Sequence, residues 1–354
     1  MNEKSLSVGV LYALGAALLF GASTPFAKRL LPQIDPWLLA GLLYLGSGTG
    51  LALHRWLTSR LRLSSPNEAK LTRKDAPWLA GAILCGGVVG PLLLMVGLRL
   101  TPASSASLLL NLEGVFTALL AWFVFKENFD ARIAWGMALI SIGAGVVSWT
   151  GNPVGGVPWG SLAIIGACSA WALDNNLTRK VSAADPVQIA MLKGLCAGTV
   201  NTLLGLIMGG GIPGIGTLLG SAVIGLLGYG VSLVLFILAL RHLGTARTGA
   251  YFSLAPFVGA LVSIALLSES FGAGLLVAAI LMGGGVWLHL TERHEHEHTH
   301  AEMEHEHLHS HDEHHQHTHS GDEPAGTPHS HLHQHAPMNH SHPHYPDLHH
   351  RHGH

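Results

Sequence analysis

Charge is what this sequence has least of. Only 11% of its 354 residues are Asp, Glu, Lys or Arg, against roughly 25% in an ordinary soluble domain. So few charges cannot cover a water-facing surface, which excludes a soluble enzyme. Cysteine is also scarce: Cys85, Cys168 and Cys196 all lie in apolar runs, which excludes a disulfide scaffold. The basic residues do not cluster on one face, so no nucleic-acid partner is expected. No connection between apolar runs is long enough for an ATPase or catalytic domain, the longest being 57–76. No enzymatic activity and no required cofactor are therefore expected. The first apolar run is too long for the core of a cleaved signal peptide, and no small-x-small cleavage site follows it.

The charges that exist are segregated. Residues 1–290 hold 17 Lys and Arg against 10 Asp and Glu, a net +7. Residues 291–354 hold 23 of the 26 His and 11 of the 21 acids, but only Arg293 and Arg351 as fixed cations, a net −9 with neutral His. One chain thus joins an apolar body to a polar tail.

A bilayer core about 30 Å thick takes about 20 apolar residues of helix. Ten such runs are present: 7–27, 37–56, 78–98, 105–125, 132–149, 159–178, 187–208, 217–240, 247–267 and 272–290. Alternate loops collect fourteen Lys and Arg on one side and three (Lys28, Arg29, Arg99) on the other. By the positive-inside rule both termini are cytoplasmic, in the plasma (inner) membrane of a prokaryote. The lipid bilayer is the first expected partner. Nothing in the sequence fixes an oligomeric state.

Shifted by 142 positions, Gly97–Glu127 lies ungapped over Ala239–Glu269, matching Leu98-Arg99 with Leu240-Arg241 and Glu127 with Glu269. A shift of 150–151 lays Lys28-Arg29 over Arg179-Lys180 and Asp35-Pro36 over Asp185-Pro186. The body therefore divides into five-helix repeats at 1–150 and 158–290, joined by a linker at 151–157. Five is odd, so the second repeat enters the membrane inverted. The expected fold is an all-α integral membrane protein of ten transmembrane helices, with residues 291–354 as a disordered tail. Inverted repeats are the construction of secondary transporters, whose substrate sits near the midplane between the halves.

Each fourth span ends in Glu, at Lys126-Glu127 and Ser268-Glu269. With the segments Trp171–Lys180 (WALDNNLTRK) and Gly244–Phe257 (GTARTGAYFSLAPF), this pattern resembles the EamA family of the drug/metabolite transporter superfamily over residues 5–290. The resemblance implies a proton-linked or facilitative carrier, chiefly an exporter, of amino acids, metabolites or drugs.

Three ionisable residues sit well inside the spans: Glu113, Asp174 and Lys193. Each is expensive in a bilayer and needs a partner or a water-filled cavity. Glu113, with Asn111 beside it and Gly114 after it, lies at the middle of the fourth span as a proton site or the partner of a substrate amine. Its repeat mates are Ala255 and Pro256, so both halves are bend-prone at one depth. Asp174 and Lys193 differ in depth by only about 4–5 Å, within Lys reach, and form either an ion pair or a gate. Asn175 and Asn176 extend this patch. Ser23, Thr24 and Pro25 occupy the matching place in the first span. Pro25, Gly114 and Pro256 are the candidate hinges. Tyr44, Trp171 and Tyr251 are aromatics suited to line a pathway.

The tail repeats His-x-His. Its candidate metal ligands are His294, His296, His298 and His300; His305, His307, His309 and His311; His314, His315, His317 and His319; and His329, His331, His333 and His335. Neutral imidazole favours Zn²⁺, Ni²⁺, Co²⁺ and Cu²⁺. Three functions follow: an exporter of a small organic metabolite with a metal-buffering or regulatory tail; a transporter of a divalent metal or metal chelate fed by the tail; and a membrane-anchored metal store or sensor. The body favours the first, because its three His (His54, His242, His289) lie at span ends.

Overall fold

The computed structural model describes residues 3–61, 71–125, 131–150, 158–182, 184–243, 245–290, 295–300, 303–309, 329–335 and 338–343. Among the described residues of the body, every regular element is a helix. The first helix, α1 (Glu3–Leu30), tightens into a 3₁₀ turn at Leu31–Gln33 and is followed by α2 (Pro36–Arg60). Next, α3 (Ala76–Ala82) runs through a π-turn at Ile83–Val89 into α4 (Gly90–Leu100). One broken rod comprises α5 (Ala103–Leu109) and α6 (Leu112–Phe125), and α7 (Ala131–Thr150) closes the first half. The second half repeats the order. It runs α8 (Trp159–Arg179), α9 (Pro186–Ile207), α10 (Ile215–Gly225), a π-turn at Leu226–Val231, α11 (Ser232–Leu243), α12 (Thr245–Phe252), α13 (Ala255–Leu267) and α14 (Ala273–Leu290).

Among the described residues, six helical stretches are long and apolar enough to cross a bilayer, and three shorter apolar helices accompany them. Burial is arranged for lipid: Leu11, Leu84, Leu203 and Ile280 are exposed, while Asp174 and Lys193 are buried. A surface of bare leucines around an interior holding charge is stable only where the solvent is hydrocarbon. The body, residues 3–290, is a multi-pass helical membrane unit.

Local sequence sets the helix ends. Asp35 and Asp185 each precede a proline and cap the following helix. Asp35 Oδ1 accepts from the Trp37 N–H at 2.9 Å, and Asp185 Oδ1 from Val187 and Gln188 N–H at 2.9 and 3.2 Å. Proline at the first helical position loses a donor that would be orphaned anyway. Gly209, at φ +89°, ends α9 in the left-handed region that glycine enters freely. The two π-turns begin 143 positions apart, as do the two helix breaks at 110–111 and 253–254.

At the centre α2 and α9 pack antiparallel, and their glycines admit direct backbone approach. A Cβ at Gly48 would overlap the Leu195 backbone, and one at Gly198 would overlap the Leu45 backbone. These pairs correspond under a shift of 150. The same reciprocity joins α7 to α14, where Gly143 meets Ala278 and Met282 while Gly285 meets Gly136 and Ile140. Beside this centre α8 packs on α4 and α6, and α1 packs on α11 and α13.

Short stretches of the tail are extended. Residues 295–300, 303–309, 329–335 and 338–343 are strands, paired antiparallel as β1 (Glu295–His300) with β4 (Met338–Pro343) and β2 (Met303–His309) with β3 (His329–His335). A His-x-His repeat has the period of a strand, which explains extended pairing where no apolar core exists. The register sets His296 opposite His342 and His298 opposite His340. It also sets His305, His307 and His309 opposite His333, His331 and His329. His294, His311, His314, His315, His317, His319, the linker 151–157 and Glu127 lie outside the described residues.

Candidate functional site: a polar group inside the bundle

The interior charges gather where α6, α8 and α9 meet. Lys193 on α9 donates to both carboxylate oxygens of Asp174 on α8, at 2.6 and 2.8 Å, and to Thr178 Oγ1 at 3.2 Å. Thr178, one turn further along α8, in turn donates to Asp174 Oδ1 at 2.8 Å. Both members of the pair are buried, at 6% exposure for Asp174 and 3% for Lys193. Removing one partner of such a pair costs about 3–5 kcal/mol, because the other charge is left uncompensated.

The adjacent residue on α8, Asn175, turns to α6. Its Nδ2 donates to Glu113 Oε1 at 2.7 Å. Glu113 occupies the first turn of α6, where the positive end of the helix dipole favours a carboxylate. That end exists because the rod breaks just before it. Asn111 donates from its side chain to the Leu108 carbonyl at 3.1 Å, a local bond that competes with the helical ladder. Asn111 Oδ1 and Thr117 Oγ1 are buried without a hydrogen-bond partner. Gly114, beside the acid, has open space where a Cβ would stand.

An aromatic cluster adjoins this group. The π-turn presents the Gly86 carbonyl, which accepts from Tyr44 OH at 2.8 Å and from Trp171 Nε1 at 2.9 Å. Gly87 O accepts from Asn201 Nδ2 at 2.9 Å. A π-turn leaves carbonyls without helical donors, and these side chains supply them. Phe20 packs edge-on against Trp171 and Tyr229, each 5.9 Å away by ring centroids, and Tyr229 lies 5.3 Å from Tyr44. Gly86 itself lies against the Asp174 carboxylate: a Cβ there would overlap it.

The structure thus brings together Glu113, Asp174, Asn175 and Lys193, while the Asn111 amide turns to Leu108 O and lies 3.8 Å from Met282 of α14. It does not bring in the others alike. Asn176 is buried but bonds back to Ala172 O at 2.8 Å on its own helix. Ser23 Oγ bonds Phe20 O at 2.6 Å within α1, and Thr24 is buried beside it. Tyr251 packs elsewhere, against Ala13, Ala239 and Leu243. Of the proposed hinges, Pro25 sits inside a continuous α1, Gly114 lies inside α6 and past the break, and Pro256 starts α13 directly after its break. The sequence reading missed Phe20 and Tyr229. The signal for Tyr229 was its place between Gly228 and Gly230, where small neighbours let a ring reach across to another helix.

A second polar group lies at the Lys28 end of α1. Lys28 Nζ donates to the carbonyls of Leu98 and of Thr101, the latter at 2.9 Å. Glu269 accepts from the Ala103 and Ser104 N–H groups at 2.7 and 2.8 Å, capping α5. Together they tie α1, α4, α5 and the α13–α14 connection at one end of the bundle.

Lipid-facing helices surround an interior of charge and amide, as in a membrane protein with a polar centre. Comparison with known proteins makes this specific. The model of the EamA-like transporter family matches the chain twice, at residues 7–149 and 158–291. The chain belongs to the EamA-like transporter family, and it is a transporter of small substrates, not an enzyme. A relative described as an uncharacterized transporter, from Methanothermobacter thermautotrophicus, is 27% identical over 292 residues, spanning 79% of this chain and 85% of that protein. A solved crystal structure shares the fold, with a TM-score of 0.61 at 16% identity over 79% of this chain and 94% of the other.

Proposed function

We propose that this protein is a secondary carrier that exports a small organic solute by alternating access, with Glu113 as the proton- or substrate-coupling acid. The chain crosses the membrane ten times as two inverted five-helix repeats, bounded at 1–150 and 158–290, with both termini in the cytoplasm. The observation that carries the reading is the half-buried Glu113 held by one amide beside a neutralised Asp174–Lys193 pair. A lone acid at the contact between α6 of one repeat and α8 of the other is placed where the halves must move. The reciprocal glycine contacts between α2 and α9 and between α7 and α14 support the inverted repeat.

The His-rich tail is a metal-binding buffer or regulator on the cytoplasmic side. The repeated His-x-His units of the tail support this second reading. For metal as cargo the body offers little: among the described residues no three His, Cys, Asp or Glu gather to hold an ion.

The test is metal resistance and cellular metal content across Zn²⁺, Ni²⁺, Co²⁺ and Cu²⁺, for full-length protein, residues 1–293 and Glu113→Gln. Content that tracks only the His present supports a buffering tail. A Glu113-dependent fall in one metal would make that metal the cargo and sink the organic-solute reading.

A further inference from the structure

We propose that the site takes a primary ammonium on a flat apolar or aromatic body that lacks a carboxylate: an amine rather than an amino acid. This rests on the carrier reading above and names its cargo class.

Charge comes first. An amino acid needs a cation for its carboxylate as well as an acid for its ammonium. Lys193 is the interior cation beside Glu113, and an ammonium has three donors. All three are spent, on Asp174 Oδ1, Asp174 Oδ2 and Thr178 Oγ1. Lys28, at the end of α1, is held by the Leu98 and Thr101 carbonyls. Among the described residues, then, neither Lys193 nor Lys28 is free to meet a zwitterion's carboxylate, whose burial beside Glu113 is unfavourable. With Asp174 neutralised by Lys193, Glu113 gives the site a single negative charge.

The unmet hydrogen bonds point the same way. Glu113 Oε1 is taken by Asn175. Thr117 Oγ1 is buried with no partner. Thr117 follows Glu113 by four residues on one helix, so the two share a face. A carboxylate oxygen and a hydroxyl oxygen on one face of α6 can accept from N–H donors, which a primary ammonium has and a quaternary one lacks. Beside them, on α8, Trp171 stands one turn before Asn175 and is continuous with Phe20, Tyr229 and Tyr44. Aromatic faces attract cations and stack on flat bodies.

The experiment compares molecules that differ in one group. Phenethylamine is set against phenylalanine, tryptamine against tryptophan, and N,N,N-trimethylphenethylammonium against phenethylamine. Binding to purified full-length protein in detergent is measured by calorimetry. Each primary amine should bind roughly tenfold or more tightly than its amino acid and more tightly than its trimethylated form. Glu113→Gln should abolish amine binding, and Thr117→Val, of similar shape, should weaken it several-fold while the protein stays monodisperse. Equal or tighter binding of the amino acids, or no binding of either amine, overturns the proposal. Counterflow into proteoliposomes separates it from the carrier reading. Amino-acid flux that needs Glu113 would overturn the amine class and keep the carrier. Absence of Glu113-dependent flux for any solute would overturn both.

Discussion

Two places in the bundle are built alike and filled differently. At one, the π-turn glycine Gly86 lies against Asp174 of α8; at the other, Gly228 lies against Ser23 of α1. The two broken rods flank them in the same way, α6 on α8 and α13 on α1. Yet the sequence shifts that match these elements set Glu113 against Ala255, Asp174 against Ser23 and Lys193 against Leu43. The scaffold needs small residues on both sides, because the close helix approaches recur. The charge is on one side only. A second set of buried ions would cost several kcal/mol more without adding a site, so geometry is duplicated while chemistry is not.

That contrast can be broken most forcefully at the ion pair. Lys193→Ala should lower stability by about 3–5 kcal/mol, read by thermal unfolding in detergent. Asp174→Ser with Lys193→Leu, which copies the uncharged side, should recover most of that loss. A double variant as unstable as the single one would show that the pair is not what the mirror position replaces. Next come the paired glycines. Gly86→Ala and Gly228→Ala should each cost about 1–3 kcal/mol by overpacking. Gly86 should be the worse, because Lys193 and Thr178 pin its neighbour Asp174. Equal effects would mean that the rigidity of Asp174 is unimportant.

Smaller changes sharpen the picture. Lys28→Met should cost about 1–2 kcal/mol, since a charged donor to two carbonyls is lost at a helix end. Glu113→Gln should alter stability by less than about 1 kcal/mol, because the amide still bonds Asn175. It should nevertheless remove coupled flux in proteoliposomes. A variant that unfolds instead would make Glu113 structural. Least of all, deleting 294–354 should leave unfolding of the body unchanged in metal-free buffer. Metal bound by the tail, measured by equilibrium dialysis, should fall as pH drops through about 6.5, where free imidazole protonates.

Much of the helical framework was legible because hydropathy and capping are local. All ten apolar runs fall on helical stretches, and both Asp-Pro pairs, read from the sequence only as a mark of the repeat, cap the helices that follow them. The nearness of Asp174 and Lys193 followed from depth counting alone, since antiparallel neighbours share a depth scale. What could not be read was lateral. Nothing in the spacing of Glu113 tells that Asn175, 62 positions away, would meet it. The π-turns left no trace in periodicity, because one extra residue in an apolar run changes no pattern. The break fell at Leu110–Asn111, and not at Gly114, because the Asn111 side chain competes for a backbone carbonyl, whereas Gly merely permits a bend. In the tail, composition argued against any packed core but was silent on strand pairing.

Each π-turn holds its rod one residue overfull. Converting it to ordinary helix would turn everything downstream by about 100° and shift it by about 1.5 Å along the axis. For α11 this is a screw motion, with Tyr229 riding on the thread and the Tyr44 and Phe20 rings as its stops. In the first half the same rotation would pull the Gly86 carbonyl away from both of its donors at once. The first-half turn is thus tied to α2 and α8 through a single carbonyl.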